Sequence, residues 1–576
     1  MIMDGGVIVA ETTEAEGETI GESTGVVVLE STDLFKKIDD RGVVYFDLAG
    51  RYMNGVVRRA LNETMSSRRI NEYELRFPID LLAKHVKTIE NEIADVEFTN
   101  PEYRKHAASF VGALKVFEKE LKERQNQRFE RGEIENDDMH AFFEKGCEVW
   151  YVQKGKRVGG IVEDVEFTEG WLLRYWTLKL RVLAAINGKI EEATTDFVVP
   201  AFDRMLISDL RLHKIDPETK AMLQTRGEKF ATFCEGAVYA AYTGNLVRSS
   251  YFADRSYRAT GRVMIDVRSF RQMEPDGWRN ELRALDVETI ESDSNTDAVG
   301  IDTSEYWRCL PTLHGFSFAC KQWGRLDIDD LREIKFREDA YDKLVLDEQD
   351  KKLIEVLVRN GQTGFEDVIE SKGGGTIFLL HGEPGRGKTL TAEAVSELLR
   401  RPLYTISVGE LGTDPRALEV SLREILDVAM TWNAVILLDE ADIFLEERDE
   451  KDIVRNAMVG VFLRLLEYHQ GVMFLTTNRV RNIDRAFYSR VSLAIRFGAI
   501  DNEWRKRVWG NLLLAAGLDH IDPDVLAHYD LNGRQIKSAI RHAQALARSE
   551  DIEPTIRHIE RFVERARRFE QDIQNS

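Results

Sequence analysis

The spacing of apolar and polar residues changes several times along this chain, and each change predicts a different kind of element. Residues 1–35 read as a flexible acidic leader, with Asp4, Glu11, Glu14, Glu16, Glu18, Glu22, Glu30 and Asp33 set among Gly, Thr and Ser. Residues 36–130 read as a helical region. Phe110, Leu114, Phe117 and Leu121 share one face there, and Glu118, Lys119, Lys122 and Glu123 occupy much of the remainder. The pattern then turns to alternation. From Trp176 to Val182 every second residue is apolar, Gly146–Val152 and Arg157–Phe167 are similar, and Gly261–Val267 is a later strand. Residues 131–275 are therefore expected to be a β-rich domain. Its Trp150, Tyr151, Trp171, Tyr175 and Trp176 suit either a strand core or a ligand-stacking surface. The acidic stretch from Glu274 to Thr303 is broken by Pro275, Gly277 and Asn295, and predicts a linker over 276–340. Three apolar runs follow, Thr376–His381, Ala434–Leu438 and Val472–Thr476, each suited to a buried parallel strand. They predict an α/β domain over 341–500. Helical spacing returns in 501–576, through Ile536, Ala539, Ile540 and Ala543, and again through Ile556, Ile559, Val563, Ala566 and Phe569.

Composition narrows the class. The 576 residues carry 79 basic and 100 acidic side chains, a formal charge of −21, with 43% hydrophobic residues. That is globular material for several cores and excludes a fibrous or mostly disordered chain. No stretch approaches the roughly 18 apolar residues of a spanning helix. Cys147, Cys234, Cys309 and Cys320 are scattered without CxxC pairs, which suits a reducing compartment. A soluble protein, cytoplasmic or otherwise intracellular, is expected. The negative balance argues against non-specific nucleic-acid binding, although Arg557, Arg561, Arg565, Arg567 and Arg568 make the last helix locally basic.

The chemistry is concentrated after the first apolar run. Gly382-Glu383-Pro384-Gly385-Arg386-Gly387-Lys388-Thr389 matches G-x-x-x-x-G-K-[ST], and a helix is expected from Leu390. Glycines let backbone N–H groups curl inward around phosphate oxygens, and the helix adds its positive end. Gly382–Leu390 is the candidate nucleotide cradle, with Lys388 for the β- and γ-phosphates and Thr389 for Mg²⁺. The second run ends in Asp439-Glu440-Ala441-Asp442. Asp439 is the candidate metal residue, Glu440 can polarise an attacking water, and Asp442 suits a helix cap. The third run ends in Thr477-Asn478, whose amide can meet a γ-phosphate or orient water.

Taken in order, the phosphate loop, Leu-Leu-Asp-Glu-Ala-Asp, Thr-Thr-Asn and the Asn532-Gly533-Arg534-Gln535-Ile536 helix resemble an AAA+ ATPase module. The resemblance implies an α/β P-loop NTPase (AAA+) module with an α-helical lid, preceded by a β-rich α+β N-terminal domain. It makes Asn478 a sensor, Arg490 an arginine finger with Arg485 as rival, and Arg534 a second sensor. It implies ATP and Mg²⁺ as ligands, a homo-hexamer and a protein substrate. Arg226-Gly227-Glu228-Lys229-Phe230, Gly261–Asp266 and Asp342–Leu346 further resemble fungal-type AAA ATPases with an N-terminal domain of unknown function. The stretch Val408–Arg416 lacks the aromatic with which unfolding relatives grip polypeptide. Three functions compete: a remodeller of protein complexes, a nucleic-acid-acting motor, and a nucleotide-dependent scaffold with negligible turnover.

Overall fold

The computed structural model describes residues 101–169, 173–249, 254–284, 301–360, 375–412, 414–448, 452–479, 483–498 and 500–574, with short pieces before residue 95. The acidic leader, Trp171 and residues 285–300 of the expected linker lie outside the described residues. The chain divides into two compact units, Met1–Ala184 with Ile190–Thr232 and Glu281–Pro311, and Ala185–Lys189 with Phe233–Asn280 and Thr312–Ser576.

In the first unit, Leu34–Ile38, Val44–Leu48 and Arg76–Pro78 pair as a small antiparallel sheet, so the 36–130 region is not purely helical. The long helix Pro101–Glu130 buries Phe110, Leu114 and Leu121, three of the four residues placed on one face. Strands Glu148–Gln153, Lys156–Glu169, Arg174–Ile186 and Lys189–Pro200 form a five-stranded sheet with Leu212–Lys214. Their alternation sends Val149, Tyr151, Val162, Trp176, Leu178 and Leu180 into one core. Tyr151 and Trp176 thus serve packing, while Trp150 stacks on His213 with Arg157 over its ring.

The second unit begins with strands β1 (Val238–Arg248) and β2 (Arg255–Ile265), followed by helix α1 (Val267–Met273). Strands β3 (Thr312–Ser317), β4 (Gln322–Asp327) and β5 (Leu331–Arg332) complete an antiparallel sheet in the order β2-β3-β4-β1-β5. Because β1 also pairs along its length with β2, the sheet closes on itself as a small barrel. This corrects two expectations. The β-rich 131–275 region is divided near Phe233, and the expected 276–340 linker supplies three strands. The six-residue lengths of β3 and β4 with the glycines Gly315 and Gly324, and the two residues of β5, hide them from a periodicity count. Both glycines are packing necessities: a Cβ on Gly324 would stand 2.6 Å from Leu246 Cδ2 and 2.7 Å from Val247 O.

Helix α2 (Glu348–Asn360) leads into a five-stranded sheet made of β6 (Thr376–Gly382), β7 (Leu403–Ser407), β8 (Val435–Asp439), β9 (Val472–Thr477) and β10 (Leu493–Phe497). Every pairing is parallel, in the order β7-β8-β9-β6-β10. The crossovers carry helices α3 (Lys388–Leu399), α4 (Val408–Leu411), α5 (Pro415–Thr431), α6 (Asp442–Leu445) and α7 (Ile453–Glu467). Strands covered by helices on both faces must be apolar throughout, which the continuous runs supply. Phe378, Leu380, Val395, Leu437, Phe474 and Ile495 form the centre of the core. Helices α8 (Asn502–Ala515), α9 (Gly533–Ser549) and α10 (Ile556–Gln574) then close a separate helical core around Trp509, Leu513, Ile536, Ile540 and Ile559.

The barrel is tied to the edge of the parallel sheet by aromatic side chains. Phe316 stacks on Tyr404 of β7 at 5.4 Å and 12°, and Phe318 and Trp323 lie 5.8 and 5.6 Å from Trp432 at the end of α5. Trp432 Nε1 donates to Asp266 Oδ2 at 2.8 Å. The same carboxylate caps α1 by accepting from Ser269 N at 2.9 Å.

Candidate functional site

Parallel order puts the C-terminal ends of β6, β8 and β9 side by side, and the predicted polar residues collect there. Between β6 and α3 the chain turns with Gly385 at φ +78° and Gly387 at φ +103°, conformations that side chains with a Cβ rarely adopt. Lys388, the first residue of α3, is 7% exposed, and its Nζ donates to Gly382 O at 2.7 Å, Glu383 O at 2.8 Å and Asn478 Oδ1 at 2.8 Å. Burial pulls this ammonium below its usual pKa; the Asp439 carboxylate opposes that pull and the Arg534 charge adds to it.

Thr389 Oγ1 lies 3.2 and 3.3 Å from the two Asp439 oxygens. Thr476, which carried no signal in the sequence beyond its place at a strand end, braces this corner. Its hydroxyl donates to Asp439 Oδ1 at 2.5 Å and accepts from Glu440 N at 2.9 Å. Glu440 is held in the left-handed region at φ +55°, and its side chain is exposed. Non-glycine residues in that region cost about 1–3 kcal/mol and gather at functional sites. Asp442, expected as a helix cap, opens α6 instead, and its Oδ1 accepts from the Thr477 hydroxyl and, at 3.2 Å, from Asn478 N. It thereby fixes the backbone of Asn478. A 340 Å³ cavity opens on this corner, with Ser407, Val408, Gly409, Asp439, Glu440, Asp442 and Arg479 among its lining residues.

The start of α9 sits against the phosphate loop. Gly533 N donates to Gly385 O at 3.1 Å, and a Cβ on Gly385 would stand 2.7 Å from Asn532. The Asn532 side chain caps α9 and forms a reciprocal box with Gln535. Arg534 follows one residue later, close enough for its charge to act on Lys388. Within the loop, Arg386 donates to Glu383, which holds the Glu383 carboxyl below the usual carboxylate range. Pro384 is exposed and Leu390 is 54% exposed on the first turn of α3, away from the buried side of the helix. Lys388, Thr389, Asp439, Glu440 and Asn478 are thus brought together, with Arg534 at their margin. Arg490 is not among them. It donates to Ala486 O at 2.7 Å and pairs with Glu467 in its own chain, while its rival Arg485 is exposed.

A glycine-curled loop between a parallel strand and a helix, with a lysine turned into it and a carboxylate on the neighbouring strand, defines a P-loop nucleotide-binding domain with a helical lid. Residues 378–499 match the model of the ATPase family associated with various cellular activities (AAA). By that match, this part of the chain is similar to AAA-family ATPase domains. It is 30% identical over 200 residues to a putative 26S proteasome regulatory subunit homolog of Methanothermobacter thermautotrophicus, covering 32% of this chain and 52% of that protein. It is 27% identical over 161 residues to ATPase family AAA domain-containing protein 3B of Homo sapiens, covering 27% and 25%. A probable spastin homolog of Caenorhabditis briggsae is 31% identical over 145 residues, covering 24% and 27%. The chain therefore spans between a quarter and about half the length of these relatives. Among the described residues, no helix is long and apolar enough to cross a membrane.

Proposed function

We propose that the chain binds ATP·Mg²⁺ on Gly382–Thr389 and hydrolyses it to drive rearrangement of a protein partner. The observation that carries this reading is the convergence of a buried lysine, a hydroxyl–carboxylate pair, a second, exposed carboxylate and the Asn478 amide at three adjacent strand ends. Lys388 and the loop N–H groups hold the phosphates. The Thr389 hydroxyl and Asp439 carboxylate, 3.2 Å apart, are the hard oxygen donors that suit Mg²⁺. Held by these two residues, the ion would offset phosphate charge. Glu440 takes the proton of the attacking water and the Asn478 amide orients that water, with Thr476 and Asp442 holding their backbones in place. Arg534 approaches the same phosphates from the lid. An arginine of the Arg485–Arg490 turn serves a neighbouring copy, which calls for a head-to-tail ring, a hexamer by likeness to the family. The protein-directed reading leans on relatives described as a proteasome regulatory subunit homolog and a spastin homolog.

The test is ATP hydrolysis by the full chain and by Glu440→Gln. The variant is expected to lose turnover by about 10²–10⁴-fold while still binding ATP, and the ATP-held form serves to capture partners. Unchanged turnover would remove Glu440 from the reaction and favour the scaffold reading. Stimulation by single-stranded DNA and not by protein would favour a nucleic-acid motor, for which exposed Arg557, Arg565 and Arg568 on α10 are the relevant feature.

A further inference from the structure

The β3–β4 hairpin reaches Glu410 of α4, the helix whose first residues line the cavity beside Glu440. Ser317 and Gln322 pair across the hairpin, leaving Phe318–Lys321 as its turn. Lys321 closes that turn at φ +52°, with its N donating to Ser317 O at 2.7 Å. The base of the hairpin is fixed without Lys321. Phe316 and Phe318 pack on Tyr404 and Trp432, and Arg262 of β2 pairs with Glu397 of α3. From this base the Lys321 ammonium donates to Glu410 Oε1 in α4. Glu410 has a second attachment, since its other oxygen accepts from Ser407 N at 3.5 Å, one half of a reciprocal capping box that starts α4. Ser407 pairs in register with Asp439 across β7 and β8, and Ser407, Val408 and Gly409 wall the cavity onto which Glu440 opens. One carboxylate thus joins the barrel to the wall of the hydrolytic corner. Burial alone would raise the Glu410 carboxyl, but hydrogen bonds from Lys321 and Ser407 outweigh it and keep the group ionised at neutral pH.

We propose that Lys321 and Glu410 are positioning residues for hydrolysis: through them the β3–β4 turn sets the Ser407–Gly409 segment against Glu440, so that whatever engages the barrel adjusts turnover. This deepens the proposed ATP hydrolysis and rests on it. The pair is one-third to two-fifths exposed, so its direct contribution to stability is small and its loss leaves the fold intact. Its effect falls on placement, where a displacement near 1 Å can cost a large factor in rate.

The experiment compares Lys321→Glu, Glu410→Lys and the double exchange, reading kcat and KM for ATP separately and amide hydrogen exchange over 407–412. Each single variant is expected to lose about tenfold in kcat with KM held within about twofold, and to exchange faster across α4. The double exchange restores most of both, because the opposite charges meet again. Single variants with wild-type kcat, or a double variant no better than its worse parent, would overturn the proposal. Should wild type bind ATP without turning it over, ATP hydrolysis as the function fails while the exchange measurements still decide whether the pair orders the segment. Loss of ATP binding in the single variants would likewise overturn it, since a positioning pair leaves the phosphate loop intact.

Discussion

The second unit holds two sheets of five strands whose polar residues are used in opposite ways. In the parallel sheet every strand points the same way, so the residues after β6, β8 and β9 are delivered to one edge, where Lys388, Glu440 and Asn478 meet. In the barrel, neighbouring strands run in opposite directions and their ends scatter over both rims. No comparable meeting point forms among its described residues. Its aromatics instead attach it to β7 and α5. Glycine follows the same division. Gly385 gives a loop its curvature at φ +78°, whereas Gly324 lets β4 lie close to Leu246 and Val247. Strand direction, more than residue content, decides which sheet gathers chemistry.

The sharpest way to break this contrast is Lys388→Ala. ATP affinity of the full chain, followed by titration calorimetry, is expected to fall roughly 1000-fold with the charge-assisted phosphate contacts gone. Near-normal affinity would deny the parallel sheet its role as the ligand-gathering layer. Next in size is an acid effect at His469, in the turn before β9. The ring is 3% exposed, neither nitrogen has a hydrogen-bond partner among the described residues, and burial pushes its pKa down to about 4. Between pH 6.5 and about 4 the unfolded chain binds a proton that the folded chain does not. Stability is therefore full above pH 6.5 and falls as pH drops through that window, by about 3 kcal/mol at most. Urea melts at pH 7.5 and 4.5 should show a smaller acid loss for His469→Leu than for wild type; equal losses would remove His469 as the cause. The smallest effects separate the two glycine uses. Gly385→Ala is expected to weaken ATP binding by about 1–2 kcal/mol, and Gly324→Ala to lower the urea midpoint by a similar energy with affinity intact. The reverse assignment would erase the distinction.

The legible parts of the site are those written in consecutive residues. Gly382–Thr389 and Asp439-Glu440 each lie on one turn or strand end, so local order is enough to place them, and Asn478 follows from the third apolar run. Partners brought in by packing were not legible. Thr476 looks like any residue finishing a buried strand, yet it holds both Asp439 and Glu440. Asp442 has the spacing of a cap but its bonds cross to β9. Lys321 and Glu410 lie 89 positions apart, beyond any periodicity. Strands β3 and β4 were hidden because six residues with an internal glycine resemble a loop, and the acidic stretch before them suggested a linker. Arg490, prominent by position, is occupied by Glu467 in its own chain, a contact that needs α7 to be folded before it can be seen.

The three bonds of the Lys388 ammonium use all three of its protons, on Gly382 O, Glu383 O and Asn478 Oδ1. One cation thereby clasps the end of β6 to the residue that follows β9, so a neutral side chain in its place would loosen two strand ends at once.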